Sequence, residues 1–200
     1  MQLKIIRKAD QKTTEWSGGT TTQLAIFPET ASYNQRDFLF RISTAKVEIE
    51  TSEFTSLPGV SRIIMILDGT LTLHHEGQYS KTLQKFGTDS FDGGWKTTST
   101  GKVTDFNLMT KGHANGKLLS KTLQPQQTCS ETECTNFDVA GIYLLCGTAE
   151  IGCKGKKYII GKGDFFMVFF ENDSDKITLI AHEYSEVVIP LISLNQSQSL

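Results

Sequence analysis

Two arginines stand in strand-like segments where a charged side chain is unusual. Arg62 precedes the apolar run Ile63–Leu67, and Arg41 alternates with Ser43 and Ala45, so these three residues share one face of a strand. A buried guanidinium needs a carboxylate or another anion as a partner, and its planar fork suits bidentate carboxylate binding. The sequence therefore predicts that Arg62, together with Arg41, holds the carboxylate of a small anionic metabolite.

The other predicted site residues would orient or cover this ligand. Asp105 and Asn107 alternate on one face of another strand-like segment, and Thr20 and Thr22 would form a row of hydroxyl groups on a third. Two aromatic residues would cover the ligand from outside. The predicted ligand-binding set comprises Arg62, Arg41, Ser43, Asn107, Asp105, Thr20, Thr22, Trp16 and Phe91.

Three alternatives to ligand binding stay open at this stage. An internal salt bridge from Asp92 or Asp105 to either arginine would lock the fold without a ligand. Acid–base chemistry by His75 or Asp105 would make the protein a metal-independent isomerase or epimerase of a small polar acid or sugar. A structural or protein-interaction module is the third. No Ser-His-Asp or Cys-His arrangement stands out, so no catalytic residue is assigned.

The composition is that of a globular protein. The chain has 200 residues, of which 38% are hydrophobic and 21% charged. Its net charge of −2 offers no broad basic surface for nucleic acid or an anionic membrane.

Charges interrupt the N-terminal stretch too early for a signal peptide, and the apolar runs are too short to span a bilayer, so we expect a cytoplasmic protein. Free thiols are expected at Cys129, Cys134, Cys146 and Cys153.

Strand-like segments dominate the chain. Short stretches that alternate apolar and polar residues, or that are continuously β-branched and aromatic, predict strands. No stretch carries a long amphipathic helical pattern with caps. Many short strands at near-regular spacing are typical of a sandwich or barrel. The predicted strands are Thr20–Phe27, Phe38–Glu50, Arg62–Leu67, Thr70–His74, Val103–Met109, Ile142–Leu145, Lys157–Ile160, Phe165–Phe170, Lys176–Ala181 and Val187–Ile192.

The two halves of the chain share an internal repeat. The pattern of Leu67–Leu73 recurs at Leu145–Ile151, and the glycines of the two copies have the same spacing. The repeat predicts an all-β fold of two tandem antiparallel β-barrels or jelly rolls packed together, residues 1–115 and 116–200, with strand exchange between them as an option. Two unrelated hairpins with common turn glycines are the alternative. The polar segment Gln124–Thr128 would be a crossing or linker, and the tail Asn195–Leu200 would fray.

This glycine-framed repeat resembles the cupin pattern, and the resemblance implies a bicupin. Metal-binding cupins carry histidines and a glutamate at fixed distances from these glycines. When the first motif is aligned on Gly69, the glutamate position is Arg62 and the histidine positions fall within residues 55–58, none of which is histidine. The histidine position of the second motif is Thr98. The resemblance therefore implies a cupin without a metal or other cofactor.

A more specific resemblance covers the first 110 residues. Five motifs, in family order, are similar to those of the HutD/Ves family, although Thr110-Lys111-Gly112 replaces the Arg-rich step that usually follows them. The motifs are Trp16–Leu24, Phe38–Ala45, Phe54–Arg62, Phe91–Gly93 and Asp105–Met109.

The resemblance implies a cytoplasmic, metabolite-binding bicupin with no established catalytic activity. One family branch is linked to histidine utilisation and the other to environmental stress, so a regulatory or accessory role in either is expected. Cupins often pair through sheet edges, which makes a homodimer compatible with the fold.

Overall fold

Short antiparallel strands form nearly all of the regular structure. The computed structural model describes residues 2–130, 137–171 and 177–194. Within these residues the only helical element is one turn of 3-10 helix at Lys8–Asp10. The strands are β1 (Leu3–Ile6), β2 (Lys12–Trp16), β3 (Gly19–Phe27), β4 (Phe40–Val47), β5 (Thr51–Glu53), β6 (Val60–Gly69), β7 (Leu71–His75), β8 (Tyr79–Leu83), β9 (Thr88–Asp92), β10 (Thr97–Thr100), β11 (Val103–Lys111), β12 (Ala114–Leu123), β13 (Thr128–Ser130), β14 (Val139–Cys146), β15 (Thr148–Cys153), β16 (Lys156–Gly161), β17 (Phe165–Phe169), β18 (Ile177–Ala181) and β19 (Ser185–Leu194).

The chain divides into two compact units. One contains residues 11–116, and the other contains residues 2–10 together with 117–194. The N-terminal strand β1 thus belongs with the C-terminal half, where it pairs with β17 through Leu3↔Val168 and the three residues that follow. The sequence had placed residues 1–115 in one barrel, with strand exchange between the two barrels as an option. The division falls within β12, which hydrogen-bonds to β19 at the edge of a sheet.

The unit of residues 11–116 is built from two antiparallel sheets. A six-stranded sheet has the order β2-β3-β4-β11-β6-β9, and a four-stranded sheet has the order β5-β10-β7-β8. Inward-facing apolar side chains from both sheets form one core, because alternate residues of a strand face the same side. That core contains Val47, Ile64, Ile66, Leu71, Leu73, Leu83, Phe91 and Val103.

The other unit repeats this plan. Its five-stranded sheet has the order β1-β17-β14-β19-β12, and its four-stranded sheet has the order β13-β18-β15-β16. The core again draws apolar residues from both sheets, and most are fully buried. It includes Ile142, Leu144, Ile151, Ile160, Phe166, Leu179, Val187 and Ile189.

The backbone of the repeat supports the predicted duplication. Gly69 and Gly147 have φ angles of 85° and 88°, and the following Gly77 and Gly155 have 74° and 72°. These left-handed conformations favour glycine because it lacks a Cβ. Each copy therefore turns from one strand to the next in the same way, and the all-β, antiparallel fold expected from the sequence is confirmed.

Most predicted strands occur close to their expected positions, while the polar strands were missed. Residues 124–127 form a turn between β12 and β13 rather than a long linker. Ser17 and Gly18 form the turn of the β2–β3 hairpin, and Gly19 begins β3, where it pairs with Trp16. Cys129, Cys146 and Cys153 form no disulfide in the described part of the chain, whereas Cys134, Lys176 and the tail 195–200 lie outside the described residues.

Candidate functional site

A cavity of about 470 Å³ opens within the unit of residues 11–116. Its walls combine charged, amide and hydroxyl side chains with aromatic and aliphatic ones. Six of the nine predicted ligand-binding residues line it. The lining residues are Thr14, Trp16, Thr21, Tyr33, Asn34, Arg41, Ser43, Ala45, Val47, Ser52, Glu53, Phe54, Thr55, Arg62, Asp105, Asn107 and Met109.

Strand register brings both arginines to this cavity. β11 lies between β4 and β6, and its Met109 pairs with Arg41 on one side and Arg62 on the other. Two residues along, Asn107 pairs with Ser43. Since alternate residues share a face, these side chains form two adjacent polar rows on the wall of the cavity.

Arg62 is buried without a charged partner in the described chain. Only 6% of the residue is exposed, and its Nε has no hydrogen-bond partner there. The guanidinium carbon lies 4.7 Å from the ring centre of Phe54 and 5.4 Å from that of Phe91. Burial lowers the pKa of Arg62 to about 10, against the opposing effects of Tyr33 and Asp105. The side chain therefore stays protonated at neutral pH, held by aromatic faces rather than by an anion.

Arg41 is held by neutral groups. Its Nε donates to Oε1 of Gln23 at 3.0 Å, and its Nη1 donates to Oγ of Ser43 at 3.1 Å. Its guanidinium carbon lies 4.5 Å from the ring centre of Tyr33. Burial lowers its pKa from the ordinary value, an effect that Tyr33 opposes. These contacts orient the guanidinium without neutralising its charge.

Strand β11 carries two buried acceptor oxygens, whereas the unpartnered atom of Arg62 is a donor. Oδ1 of Asp105 and Oδ1 of Asn107 have no hydrogen-bond partner within the described residues, although the two residues are only 4% and 6% exposed. Burial raises the pKa of Asp105 to about 7, and the positive charge of Arg62 only partly counteracts it. Unpaired buried polar atoms are costly and rare in folded proteins, which suggests that a ligand completes them.

Three predicted site residues are not brought to the cavity wall. On β3 it is Thr21, the residue between Thr20 and Thr22, that lines the cavity, and it pairs with the lining residue Ala45. Thr20 and Thr22 are not among the lining residues, because neighbouring residues of a strand face opposite sides. Thr22 instead contacts Thr13 through their hydroxyl groups at 2.8 Å. Phe91 lies in the apolar core beside the Arg62 guanidinium and is not among the lining residues.

Several lining residues were missed by sequence reasoning. Phe54 and Tyr33, which contact the two guanidinium groups, lie outside the regular strands. Gln23 was overlooked as a partner of Arg41. Phe54 stood within a family motif, and that was the one available signal; nothing about Tyr33 marked it. Trp16, predicted as a cover, lines the cavity and is 39% exposed.

The internal salt bridge considered from the sequence does not form among the described residues. Asp92 accepts a hydrogen bond from the backbone amide of Gly94 at 2.7 Å. Asp105 keeps one oxygen unpartnered, and its interaction with Arg62 is a longer-range attraction. The two guanidinium groups therefore remain uncompensated in the described part of the chain.

A second polar cluster surrounds His75 in the four-stranded sheet. The imidazole is fully buried, with Nδ1 2.8 Å from Oγ1 of Thr97 and Nε2 3.0 Å from Oδ2 of Asp89. Tyr79 and Lys81 donate to Oδ1 of Asp89 at 3.1 and 3.2 Å. The adjacent His74 points to the opposite, exposed side, as the strand pattern predicts. His75 is not among the cavity-lining residues, so it is not placed to act on a ligand there.

In residues 2–130, 137–171 and 177–194, no three His, Cys, Asp or Glu side chains are grouped so that they could hold a metal ion. Arg62 occupies the wall of the cavity where the cupin alignment placed a glutamate ligand. None of the described helical segments is long and apolar enough to cross a membrane.

Comparison with solved structures defines the class of the protein. A conserved protein of unknown function, PA5104 from Pseudomonas aeruginosa PAO1, matches with a TM-score of 0.84 and 21% identity over 96% of this chain and 100% of that one. The bacterial pirin YhhW from Escherichia coli, solved in complex with nickel(II), matches with a TM-score of 0.66 and 11% identity over 95% and 98%. The neighbours have the cupin fold, and the present chain is a cupin-fold protein.

The family follows from the sequence itself. The model of the HutD family matches residues 8–189, and the chain therefore belongs to the HutD family. HutD from Pseudomonas fluorescens SBW25, whose structure was determined in a formate condition, matches with a TM-score of 0.70 and 18% identity over 96% of this chain and 98% of that one. A search of curated proteins gives no match.

Proposed function

We propose that this chain binds a small carboxylic acid metabolite in the cavity of residues 11–116. The observation that carries the proposal is the buried Arg62, whose Nε is unpartnered and whose charge meets no carboxylate within ion-pair distance in the described residues. A buried charge without a partner costs several kcal/mol in typical cases. A ligand carboxylate would offset this cost and accept the planar fork of donors.

Arg41 supports the same ligand charge. It lies across Met109 from Arg62, and its contacts are to neutral oxygens. The cavity wall carries the guanidinium groups of Arg41 and Arg62 against two carboxyl groups, Asp105 with its raised pKa and the exposed Glu53, so it is net positive at neutral pH. Such a wall favours an acid over a neutral or cationic compound.

The proposed activity is binding of the metabolite without its chemical conversion. The HutD family membership supports a regulatory or accessory role, in histidine utilisation or in a stress response, in the cytoplasm. Whether the chain works alone or as a homodimer does not alter the proposed site, because every lining residue comes from one unit of one chain.

Ligand-induced thermal stabilisation tests the proposal. The wild-type chain is heated with and without formate, acetate, succinate and amino-acid-derived acids. An acid at ten times its Kd adds roughly 1.4 kcal/mol of stability, which is about 3–6 °C in the melting temperature of a chain of this size. Arg62→Ala should abolish the rise, and Arg62→Lys should weaken binding about tenfold or more because lysine cannot form the fork.

The control is Arg36→Ala, which removes an exposed arginine from outside the cavity lining. It should keep the full ligand effect. Should an acid stabilise Arg62→Ala as much as the wild type, the proposed site is wrong.

Asp105 favours a second candidate function. A carboxyl group with a pKa of about 7 that lines a cavity next to an arginine has the properties of a general acid or base. A metal-independent isomerase or epimerase would use it to move a proton on the bound acid. NMR in heavy water would follow the exchange of a substrate C–H for deuterium. Exchange with the wild type that is lost in Asp105→Asn would support catalysis. Spectra that stay unchanged after days would support ligand binding without catalysis.

A further inference from the structure

We propose that the ligand of this cavity carries, besides its carboxylate, a hydroxyl or ammonium group that donates to Asp105 and Asn107. This inference rests on the proposed function and specifies its ligand class as hydroxy or amino acids. The geometry behind it is the presence of two unpartnered acceptor oxygens beside the unpartnered donor Nε of Arg62, all three buried in residues that line one cavity.

The positions of the acceptors make a shared donor reasonable. Asp105 and Asn107 are two residues apart on β11, so their side chains leave the same face of the strand. Asp105 pairs with Ala45 and Ile66, which carry no side-chain donor. Asn107 pairs with Ser43, but the Ser43 hydroxyl contacts Arg41, and Oδ1 of Asn107 has no partner in the described residues. A simple carboxylate would satisfy Arg62 but would bring more acceptors towards these oxygens.

The charges of the cavity wall support the same ligand class. Arg41 and Arg62 can take up a carboxylate, while Asp105 meets a hydroxyl or ammonium donor at the β11 row. Hydrogen bonds to a charged partner contribute more than those between neutral groups. A ligand without the donor would leave both acceptors unpaired, and sites built this way discriminate strongly against such analogues.

Succinate, L-malate and L-aspartate provide a matched series, because they share a four-carbon dicarboxylate skeleton and differ in the donor. Their Kd values would be measured by calorimetry on the full chain. We expect L-malate, L-aspartate or both to bind about tenfold or more tightly than succinate. In Asp105→Leu this preference should disappear while succinate binding persists, and Asp105→Asn, which keeps a carbonyl acceptor, should restore part of it.

The ratio of Kd values within each variant removes general effects on folding. Equal binding of all three acids by the wild type, lost in Arg62→Ala, would overturn the donor inference and leave the carboxylate site intact. A preference that survives in Asp105→Leu and Asn107→Leu would overturn it as well. Binding of none of the three would count against the carboxylate site and this inference together.

Discussion

At the scale of single residues, Arg62 is a buried charge that contacts aromatic rings instead of a carboxylate in the described residues. The guanidinium lies over the faces of Phe54 and Phe91, whose negative ring faces attract a cation. Such contacts contribute about 0.5–2 kcal/mol, less than the cost of removing a charge from water. On the proposed function, a bound anion would offset the remaining cost, and Arg62 would favour ligand binding at the expense of the stability of the free protein.

The raised pKa of Asp105 leads to a prediction about stability and pH. Folded, the group binds its proton up to about pH 7, whereas its ordinary pKa is 3.8. Between these values the native state holds a proton that the unfolded state has lost, so the free energy of unfolding falls as pH rises. Asp105→Asn does not titrate, and its stability relative to the wild type should rise by roughly 1 kcal/mol per pH unit across this window.

Urea unfolding of both proteins at half-unit steps from pH 4.5 to 7.5 measures the effect. The exposed Asp68→Asn provides the matched control and should follow the wild-type profile. Parallel profiles for wild type and Asp105→Asn would contradict the raised pKa.

At the scale of elements, the sequence predicted the most strongly apolar strands and missed, among others, those that stay polar. Every residue of β2 is exposed, and β8 is exposed except for Leu83, so neither shows the apolar alternation that indicates a strand. The rows of side chains that contain Arg41 and Arg62 could be predicted, because successive side chains of a strand alternate between its two faces. The choice between Thr21 and its neighbours was not, since it depends on register with β4 and on an irregularity after Gln23.

Asp89 lies on β9 of the six-stranded sheet and accepts hydrogen bonds or ion pairs from His75, Tyr79 and Lys81 of the four-stranded sheet. Asp89→Ala would leave Nε2 of the buried His75 imidazole without its partner, and we expect a loss of about 2–4 kcal/mol in the free energy of unfolding. Asp68→Ala, at an exposed position in the same unit, should change it by less than about 0.5 kcal/mol. Equal effects of the two substitutions in urea titrations would show that the cluster does not stabilise the sheet.

At the scale of the whole molecule, chain order and spatial units differ. Residues 2–10 complete the unit of residues 117–194, through a strand pairing and through contacts of Arg7 and Lys8 with Asp164. The sequence shows neither, because a strand of four residues gives only a weak pattern and the hydrogen-bond partners are 156 and 157 residues apart. The duplicated hairpins were visible, since both copies need glycine at the same two turns.

Asp164 links this N-terminal segment to its unit, and its loss should be measurable. Its carboxylate accepts hydrogen bonds from Nη1 of Arg7 at 2.8 Å and from the backbone amides of Lys8 and Gly161 at 2.9 and 3.0 Å. Burial alone would raise the pKa of Asp164, but these donors outweigh it and lower the pKa below its ordinary value of 3.8. We expect Asp164→Ala to lower the free energy of unfolding by about 2–3 kcal/mol at pH 7.

The pH dependence of this loss identifies its cause. A carboxyl group with a lowered folded pKa stabilises the native state fully above its ordinary pKa, and this contribution disappears as pH falls through the folded value. The difference between wild type and Asp164→Ala should therefore be constant from pH 7 to about 5 and shrink below about pH 4. Arg7→Ala removes only the half-exposed partner and should cost about 1 kcal/mol or less. A difference that stays unchanged down to pH 3 in chemical denaturation would mean that packing, not the ionised carboxylate, holds the N-terminal segment in place.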